Sequence, residues 1–492
     1  MTLEQLLAGV PLRTIVPAAA ARLEIRGLDY DSRRVERGFV FFAFAGARAD
    51  GRQFAQAAMD RGAIATVSEL PCPQGFDAVW VQVEHGRNAL ALASKRFYGA
   101  PDERLCLTGI TGTNGKTTTG FLLDAILNHA GKTTALVGTV EYRLGGERLP
   151  AVNTTPESLD LFRLFHGLEL AGGTHGTMEV SSHALALGRV YGINFHTAVF
   201  TNLTRDHLDF HHTMEDYFAA KSLLFRPPGA PPPRWAVVNH DDSYGRELRL
   251  APETFAVRYG FDAGATLRTV EMDMGFDGLH FTVEHRDRRI VLRSPLVGRI
   301  NAYNIMAACG AALSYGLEWD VIASAIAECP GAPGRFERVD AGQPFMVVVD
   351  YAHTDDALKN VIQVARGLKP KRVITLFGCG GDRDRAKRPL MAMAAAEGSD
   401  YVVLTSDNPR SEDPLDIIND ALVGLRRYDT PHLVEADREK GIVAAIKEAQ
   451  PGDIVILAGK GHEPYQQLKD RTIAFDDREV AREVLRGLGY RR

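Results

Sequence analysis

A chain of 492 residues with 45% hydrophobic content is too long for a single core, so roughly three domains are expected. Its formal charge of -5, from 57 basic and 62 acidic residues, is small for this size and excludes bulk electrostatic binding to nucleic acid or an anionic membrane surface. The five cysteines (Cys72, Cys106, Cys309, Cys329 and Cys379) show no C-x-x-C spacing, so neither a disulfide framework nor a zinc site is indicated.

The N-terminal stretch lacks the basic start and apolar core of a signal peptide, and no uninterrupted apolar run reaches about 18 residues. A cytoplasmic protein without membrane insertion is therefore expected. Turn-rich joints at Arg96 to Leu105 and at Glu328 to Val339 divide the chain into segments 1–99, 100–331 and 332–492.

In the middle segment, "RLCLTGI" reads as a buried strand, and Phe121, Leu122, Ile126 and Leu127 recur at helical spacing. Between them lies "TGTNGKTTTG", Thr111 to Gly120. Gly112 and Gly115 allow backbone N–H groups to converge on a phosphate, Lys116 brings a positive charge to the outer phosphates, and the Thr117 hydroxyl suits magnesium. Ile110 stands where the strict P-loop pattern has its first glycine. ATP is the expected ligand, since no N-K-x-D element is present to read guanine. Further on, "MEVSSHAL" and "TNLTRDHLDFH" supply Glu179 and His207, a carboxylate and an imidazole suited to a metal shared with phosphate oxygens. Lys221 lies on an apolar helix, "YFAAKSLLF", where the ordinary reading is a packed stem with its ammonium in water or on a carboxylate.

In the last segment four apolar runs, "FMVVVD", "RVITLFG", "DYVVLTS" and "DIVILAG", alternate with helical stretches, as in a parallel sheet with crossover helices. Each run ends in polar residues: "YAHTDD", "CGGDRDRAKR", "DNPR" and "KGHEPY". Ligands of open α/β sheets bind at the carboxyl ends of the strands, so one shared cleft is expected there.

At these residues the chain resembles the Mur ligases, the ATP-dependent family that builds the peptide stem of bacterial cell-wall precursors. The resemblance runs over essentially the whole chain, with "TGTNGKTTT", "NTTP", "EVSSHAL", "TNLTRDHLD", "NAYNIMAA", "GRFE", "DYAHT", "GDRDRAKRP", "DNPR" and "GKGHE" in the family's order. It implies an α/β protein of three domains: an N-terminal UDP-sugar-binding domain, a central P-loop ATPase with a parallel or mixed sheet, and a C-terminal Rossmann-like domain for the amino acid. It is greatest to the members that add meso-diaminopimelate to UDP-N-acetylmuramoyl-L-alanyl-D-glutamate. Asp407, Asn408, Pro409 and Arg410 match their amino-acid motif, with Arg383, Gly459 and Glu463 completing the pocket. Diaminopimelate differs from lysine chiefly by a second carboxylate, which the planar fork of Arg410 suits. Arg383 is expected on carboxylate and Glu463 on ammonium.

The resemblance further implies ATP contacts from Gly112, Thr113, Asn114, Gly115, Lys116, Thr117, Thr118, Asn301, Arg335 and Asp350. Ser32, the Ala45 to Arg52 stretch, Asn153, Thr154, Thr155, Ser182 and Arg189 would hold the nucleotide-sugar and its peptide. It makes Lys116, Glu179, His207 and Lys221 the catalytic set. Lys221 would be carbamylated by carbon dioxide and would join Thr117, Glu179 and His207 in holding two magnesium ions. Asp355, His212 and Leu187 depart from the residues usual in the family at those positions. A monomer is expected, closing by rigid-body rotation of its last domain so that Arg335 and Asp350 approach ATP. Two other readings are a folate polyglutamate synthase, against which "DNPR" and "GKGHE" argue, and a nucleotide-binding switch that makes no bond, against which the four loaded strand ends argue.

Overall fold

The central sheet is built on Cys106–Thr111, whose nearly continuous burial fits a parallel strand covered on both faces. The computed structural model describes residues 1–46 and 50–491. Before this strand, β1 (Gly27–Asp29), β2 (Phe39–Phe42), β3 (Ala65–Ser68) and β4 (Trp80–Gln82) form a separate parallel sheet in chain order. Its core joins Val40, Val67 and Val81 to Ala89 and Leu90 of the helix Gly86–Phe97.

Cys106–Thr111 is β5; then come β6 (Thr134–Val137), β7 (Glu141–Leu144), β8 (Glu147–Pro150), β9 (His175–Glu179), β10 (Thr197–Phe200), β11 (Trp235–Asn239) and β12 (Phe255–Gly260). Their order in the sheet is β12-β11-β10-β5-β9-β6-β7-β8, with only the β6-β7-β8 edge antiparallel. β5 therefore lies between β9 and β10, and the loops after all three open on the same edge. β13 (Leu267–Gly275), β14 (Gly278–His285) and β15 (Arg288–Ser294) continue the sheet order as a meander.

The C-terminal sheet has the order β16-β17-β21-β18-β19-β20, from Glu337–Arg338, Met346–Asp350, Val373–Cys379, Tyr401–Ser406, His432–Val434 and Ile454–Ala458 in chain order β16 to β21. All neighbours pair in parallel except the short β16. The four apolar runs of the sequence are β17, β18, β19 and β21. Met346 and Val348 join one buried cluster while Val347 and Val349 join another, so both faces of the sheet are covered. That is why these strands lack an apolar-polar alternation. A hairpin, β22 (Tyr465–Gln467) with β23 (Thr472–Ala474), follows.

The chain divides into two compact units, one of residues 1–268, 284–288 and 303–322 and the other of 269–283, 289–302 and 323–492. No described helix is long and apolar enough to cross a membrane.

Candidate active site

The phosphate loop joins β5 to the helix Lys116–His129, which starts from Gly115 in the left-handed region at φ 88°. A side chain at Gly115 would put its Cβ 2.3 Å from Asn304 Oδ1, and one at Gly112 would meet Thr201 Oγ1 at 1.8 Å. Both glycines are thus required by close packing as well as by backbone angle. Asn202 and Thr201 fasten the loop from the end of β10: the Asn114 N–H donates to Asn202 Oδ1 at 3.0 Å, and Thr201 Oγ1 donates to the Asn114 carbonyl at 2.6 Å. Lys116 Nζ donates to the carbonyls of Gly112 and Thr113 at 2.8 and 2.9 Å, which holds its ammonium at the loop. A cradle of backbone amides, a fixed cation and the buried Thr117 hydroxyl is the donor set a nucleotide triphosphate with magnesium requires.

Lys221 departs from the ordinary sequence reading of a snorkelling lysine. Its side chain is buried, Nζ donates to the Gly112 carbonyl at 2.9 Å, and the ammonium lies 4.5 Å from the Tyr217 ring. Burial, with the charge of Lys116 adding to it, pulls its pKa well below the ordinary lysine range. Burial pushes the neighbouring Tyr217 hydroxyl up to about 12. His207 begins the short helix Leu208–His211 from a left-handed backbone, 4.9 Å from the His183 ring and 6.0 Å from that of Tyr217. Burial, assisted by Lys116 and Lys221 against the pull of Asp206, lowers its pKa and favours the neutral imidazole that binds metals.

Glu179 ends β9 beside the phosphate strand, where Ile110 and Glu179 are register partners. Its oxygens accept from the Thr139 backbone N–H at 2.9 Å and from the Thr139 hydroxyl at 3.0 Å. Gly138 leaves room for this carboxylate, because a Cβ there would lie 2.3 Å from Glu179 Oε1. Among the described residues no three His, Cys, Asp or Glu side chains converge as a ready-made metal cage. The oxygen donors of Thr117 and Glu179 suit a hard divalent cation, whereas an unmodified Lys221 brings a cation or a neutral amine and fits only once it carries a carboxylate.

Of the residues expected to hold the sugar-peptide, Thr154, Thr155, Ser182 and Arg189 lie around the end of β9, while Asn153 and Ser32 have other surroundings. Thr155 Oγ1 donates to the Glu179 carbonyl and accepts from the Ser181 N–H, while Thr154 and Thr139 hydroxyls lie 3.1 Å apart. Arg189 donates to the Thr155 carbonyl at 2.9 Å and pairs with Glu157 at 3.1 Å. Glu157 also pairs with Arg87, whose guanidinium lies over the Phe44 ring. Ser182 Oγ is 2.9 Å from His211 Nε2, and the Asn153 carbonyl accepts from Tyr142. Ser32 opens a short turn of helix capped by Asp31. Of the Ala45 to Arg52 stretch, residues 47–49 lie outside the described residues.

In the C-terminal unit the loops after β17, β18, β19 and β21 meet. Gly459 N–H donates to the Asp350 carbonyl, and Gly381 N–H donates to the Asn408 carbonyl. Asn408 Nδ2 donates to Glu463 Oε2 at 2.9 Å, and the fully buried Lys460 reaches Asn408 Oδ1 at 3.2 Å and Glu463 at 3.4 Å. Arg410, at φ 52°, donates from Nη1 to the Gly381 carbonyl at 2.7 Å and from its backbone to the Gln467 carbonyl. Pro409 packs its carbonyl against Gly381, where a Cβ would approach to 1.9 Å. Arg383 is exposed, with a 3.4 Å bond to the Asp382 carbonyl. The loops thus carry two guanidinium groups, of Arg383 and Arg410, on one pair and the Glu463 carboxylate on another, a set able to meet both signs of charge.

Asp350 is partly buried at the end of β17, where loss of solvent pushes its carboxyl pKa up against the opposing charge of Arg335. Its oxygens accept from the Phe336 and Ala352 N–H groups, and Arg335 lies over the Tyr351 ring at 5.2 Å. Asn301 donates to the Val297 carbonyl within its own helix start. Sequence reasoning missed Thr139, Glu157, Arg87 and Tyr142, whose partners are distant in the chain and leave no local signal. It also missed Gln466, which donates to the Asp407 carbonyl at 2.7 Å, and Lys460, although Lys460 sits inside the quoted "GKGHE".

Three family models match the chain: the Mur ligase family catalytic domain over residues 24–98, the Mur ligase middle domain over 110–312, and the Mur ligase glutamate ligase domain over 334–461. The UDP-N-acetylmuramoyl-L-alanyl-D-glutamate--2,6-diaminopimelate ligase of Solibacter usitatus is 64% identical over 490 residues, covering 100% of this chain and 99% of that one. The enzyme of the same name from Syntrophomonas wolfei is 44% identical, covering 94% and 95%. A solved structure with that ligase name aligns at a TM-score of 0.74 with 33% identity, covering 97% of this chain and 98% of that chain.

Proposed function

This chain belongs to the Mur ligase family, and from that premise we propose that it joins meso-diaminopimelate to the D-glutamate side-chain carboxylate of UDP-N-acetylmuramoyl-L-alanyl-D-glutamate, at the expense of ATP. The observation that carries the choice of amino acid is the meeting of the Arg410 loop with the Glu463 loop through Asn408. The reaction places the enzyme in cytoplasmic synthesis of peptidoglycan precursors.

A carboxylate is a poor electrophile in water. The D-glutamate carboxylate attacks the γ-phosphate of ATP to give an acyl phosphate and ADP, and the amine at the L-centre of diaminopimelate then attacks the carbonyl and expels phosphate. Lys116 and the loop amides spread the charge that develops on the phosphoryl oxygens, the largest single catalytic task in such a transfer. Magnesium, when bound, neutralises phosphate charge and draws the acceptor carboxylate close, with Thr117, Glu179, His207 and carbamylated Lys221 as the residues that would hold two ions. Gly112, Thr113, Asn114, Gly115 and Thr118 line the phosphates; Asn301, Arg335 and Asp350 serve the remainder of ATP. Ser32, Asn153, Thr154, Thr155, Ser182 and Arg189 bind the sugar-peptide. Arg383, Asp407, Asn408, Pro409, Arg410, Gly459 and Glu463 bind the diamino acid.

Phosphate release with ATP, magnesium and the sugar-peptide, compared between meso-diaminopimelate and L-lysine, tests this reading. Turnover with diaminopimelate far above a low turnover with lysine is expected; turnover with lysine alone would overturn the amino-acid assignment, and none with either would overturn the reaction.

The depressed pKa of Lys221 favours the neutral amine that carbamylation needs, at lower pH than an ordinary lysine requires. A model lysine at about 10.4 is almost wholly protonated at pH 8, and only the neutral amine attacks carbon dioxide. Because the folded-state pKa is lowered, the neutral fraction rises as pH climbs through that lower value. Incorporation of isotope-labelled bicarbonate, read by NMR, should therefore be substantial at about pH 8 and absent in Lys221→Met. No label in the wild type at that pH would remove the carbamate from the mechanism.

A further inference from the structure

Arg438 and Asp477 lie outside every motif used above, yet both side chains are fully buried and face each other. Arg438 is the first residue of the helix Arg438–Glu448, and Asp477 the first of the helix Asp477–Gly487. The guanidinium makes four hydrogen bonds. Nε and Nη2 donate to the two Asp477 oxygens at 2.8 and 2.6 Å, Nη1 donates to the Ser406 carbonyl at 3.1 Å, and Nη2 also donates to the Ala458 carbonyl at 2.9 Å.

Those two carbonyls close β19 and β21. The next residues are Asp407 and Gly459, the first of the two loops that hold the diamino acid. In the sheet β18 separates β19 from β21, so no ladder bond ties these strand ends together. The Arg438 guanidinium does. The junction it spans is tight: Gly459 sits at φ 115°, and a Cβ there would lie 2.5 Å from Asp407 Oδ2. On β18, a Cβ at Gly378 would come within 2.8 Å of the Asp407 nitrogen. Beyond it, Asp407 is followed by Asn408, whose amide reaches Glu463 on the other loop.

A buried ion pair is weak as a source of stability, since apolar side chains of similar volume fill such a space without the desolvation cost. What apolar side chains cannot supply is two directional bonds to carbonyls on separated strands. We infer that Arg438, held by Asp477, is a positioning residue that fixes the separation of the Asp407–Arg410 and Gly459–Glu463 loops, and thereby the affinity for the diamino acid. The inference rests on the amino-acid assignment proposed above.

The double variant Arg438→Met with Asp477→Leu removes the tie without stranding a buried charge. Its thermal midpoint should be at least that of Arg438→Met alone, while the KM for meso-diaminopimelate rises tenfold or more and those for ATP and the sugar-peptide stay within about twofold, because sub-ångström misplacement of a site is enough to cost about that much. Arg438→Lys keeps a charge opposite Asp477 and so preserves the fold, but one ammonium cannot span both carbonyls and the carboxylate; the same selective rise in KM is expected. Wild-type KM values for all three substrates in both variants would overturn the positioning role, as would an equal rise in all three. A wild type that turns over no diaminopimelate would instead overturn the proposed function. The crystal structure of the double variant then decides the positioning role by itself: displaced Asp407 and Gly459 loops support it, and loops left in place refute it.

Discussion

Lys116→Met is expected to lower kcat by about a thousandfold, the scale of losing a preorganised charge aimed at a phosphoryl group in transfer. The structure separates this loss from damage to the loop. Lys116 Nζ donates to the Gly112 and Thr113 carbonyls, and Gly112 keeps Lys221 Nζ as a donor when Lys116 is removed. Thr201 and Asn202 still hold Asn114 from the neighbouring strand. Methionine matches the length of the lysine stem, so the change is chiefly one of charge. Circular dichroism and the thermal midpoint should stay near wild type, and the KM for the diamino acid should change little, since the residues proposed for it lie on other loops, around Arg410 and Glu463. Single-turnover formation of ADP reads the effect directly. A decrease of less than about tenfold would mean that this lysine does not face the transferred phosphoryl group.

Arg410→Ala is expected to reduce kcat/KM for meso-diaminopimelate by a factor of about a hundred to a thousand, and to leave the low activity with L-lysine nearly unchanged. Truncating one partner of a desolvated, hydrogen-bonded charge pair costs roughly 2–5 kcal/mol, which sets that scale. Arg410 is better placed for this than Arg383. Its backbone is pinned to Gln467 and its Nη1 to the Gly381 carbonyl, and among the described residues no other acceptor bonds its guanidinium. Arg383 is exposed and makes only a long bond to the adjacent carbonyl, so Arg383→Ala should cost less. The preference also has a repulsive side: lysine would leave the Arg410 fork facing no carboxylate in a partly dry pocket. Competition between the two amino acids in one reaction measures the ratio directly. A variant that loses activity on both equally would show that Arg410 shapes the pocket without reading the second carboxylate.

The phosphate loop was legible because strand, glycine turn, lysine and helix are contiguous, and the backbone physics that makes them a phosphate cradle acts over a few residues. The α/β class was legible for a similar reason, since four unbroken apolar runs with polar ends specify a sheet covered on both faces. "DNPR" by itself reads as a turn, and only the family resemblance suggests a carboxylate reader there, a role that the planar donor fork of arginine suits. What composition and spacing could not give was the state of Lys221. Its helix reads as ordinary, while in the fold its amine is buried against the Gly112 carbonyl, 109 positions away.

The same holds for Glu179, whose carboxylate is oriented by Thr139, and for Arg189, which shares Glu157 with Arg87, 102 positions before it in the chain. Arg438 is the extreme instance: in sequence it is one more charge at a helix start, and in the fold it is buried against Asp477 beneath two strand ends. The sequence by itself therefore determined the kind of fold, the phosphate loop and the polar residues that end the strands of the C-terminal sheet, because each is written in neighbouring residues. Only the tertiary structure decided which charges are buried, which carbonyls they meet and how far apart the pocket's loops stand, because those energies depend on desolvation and on contacts between residues that are distant in the chain.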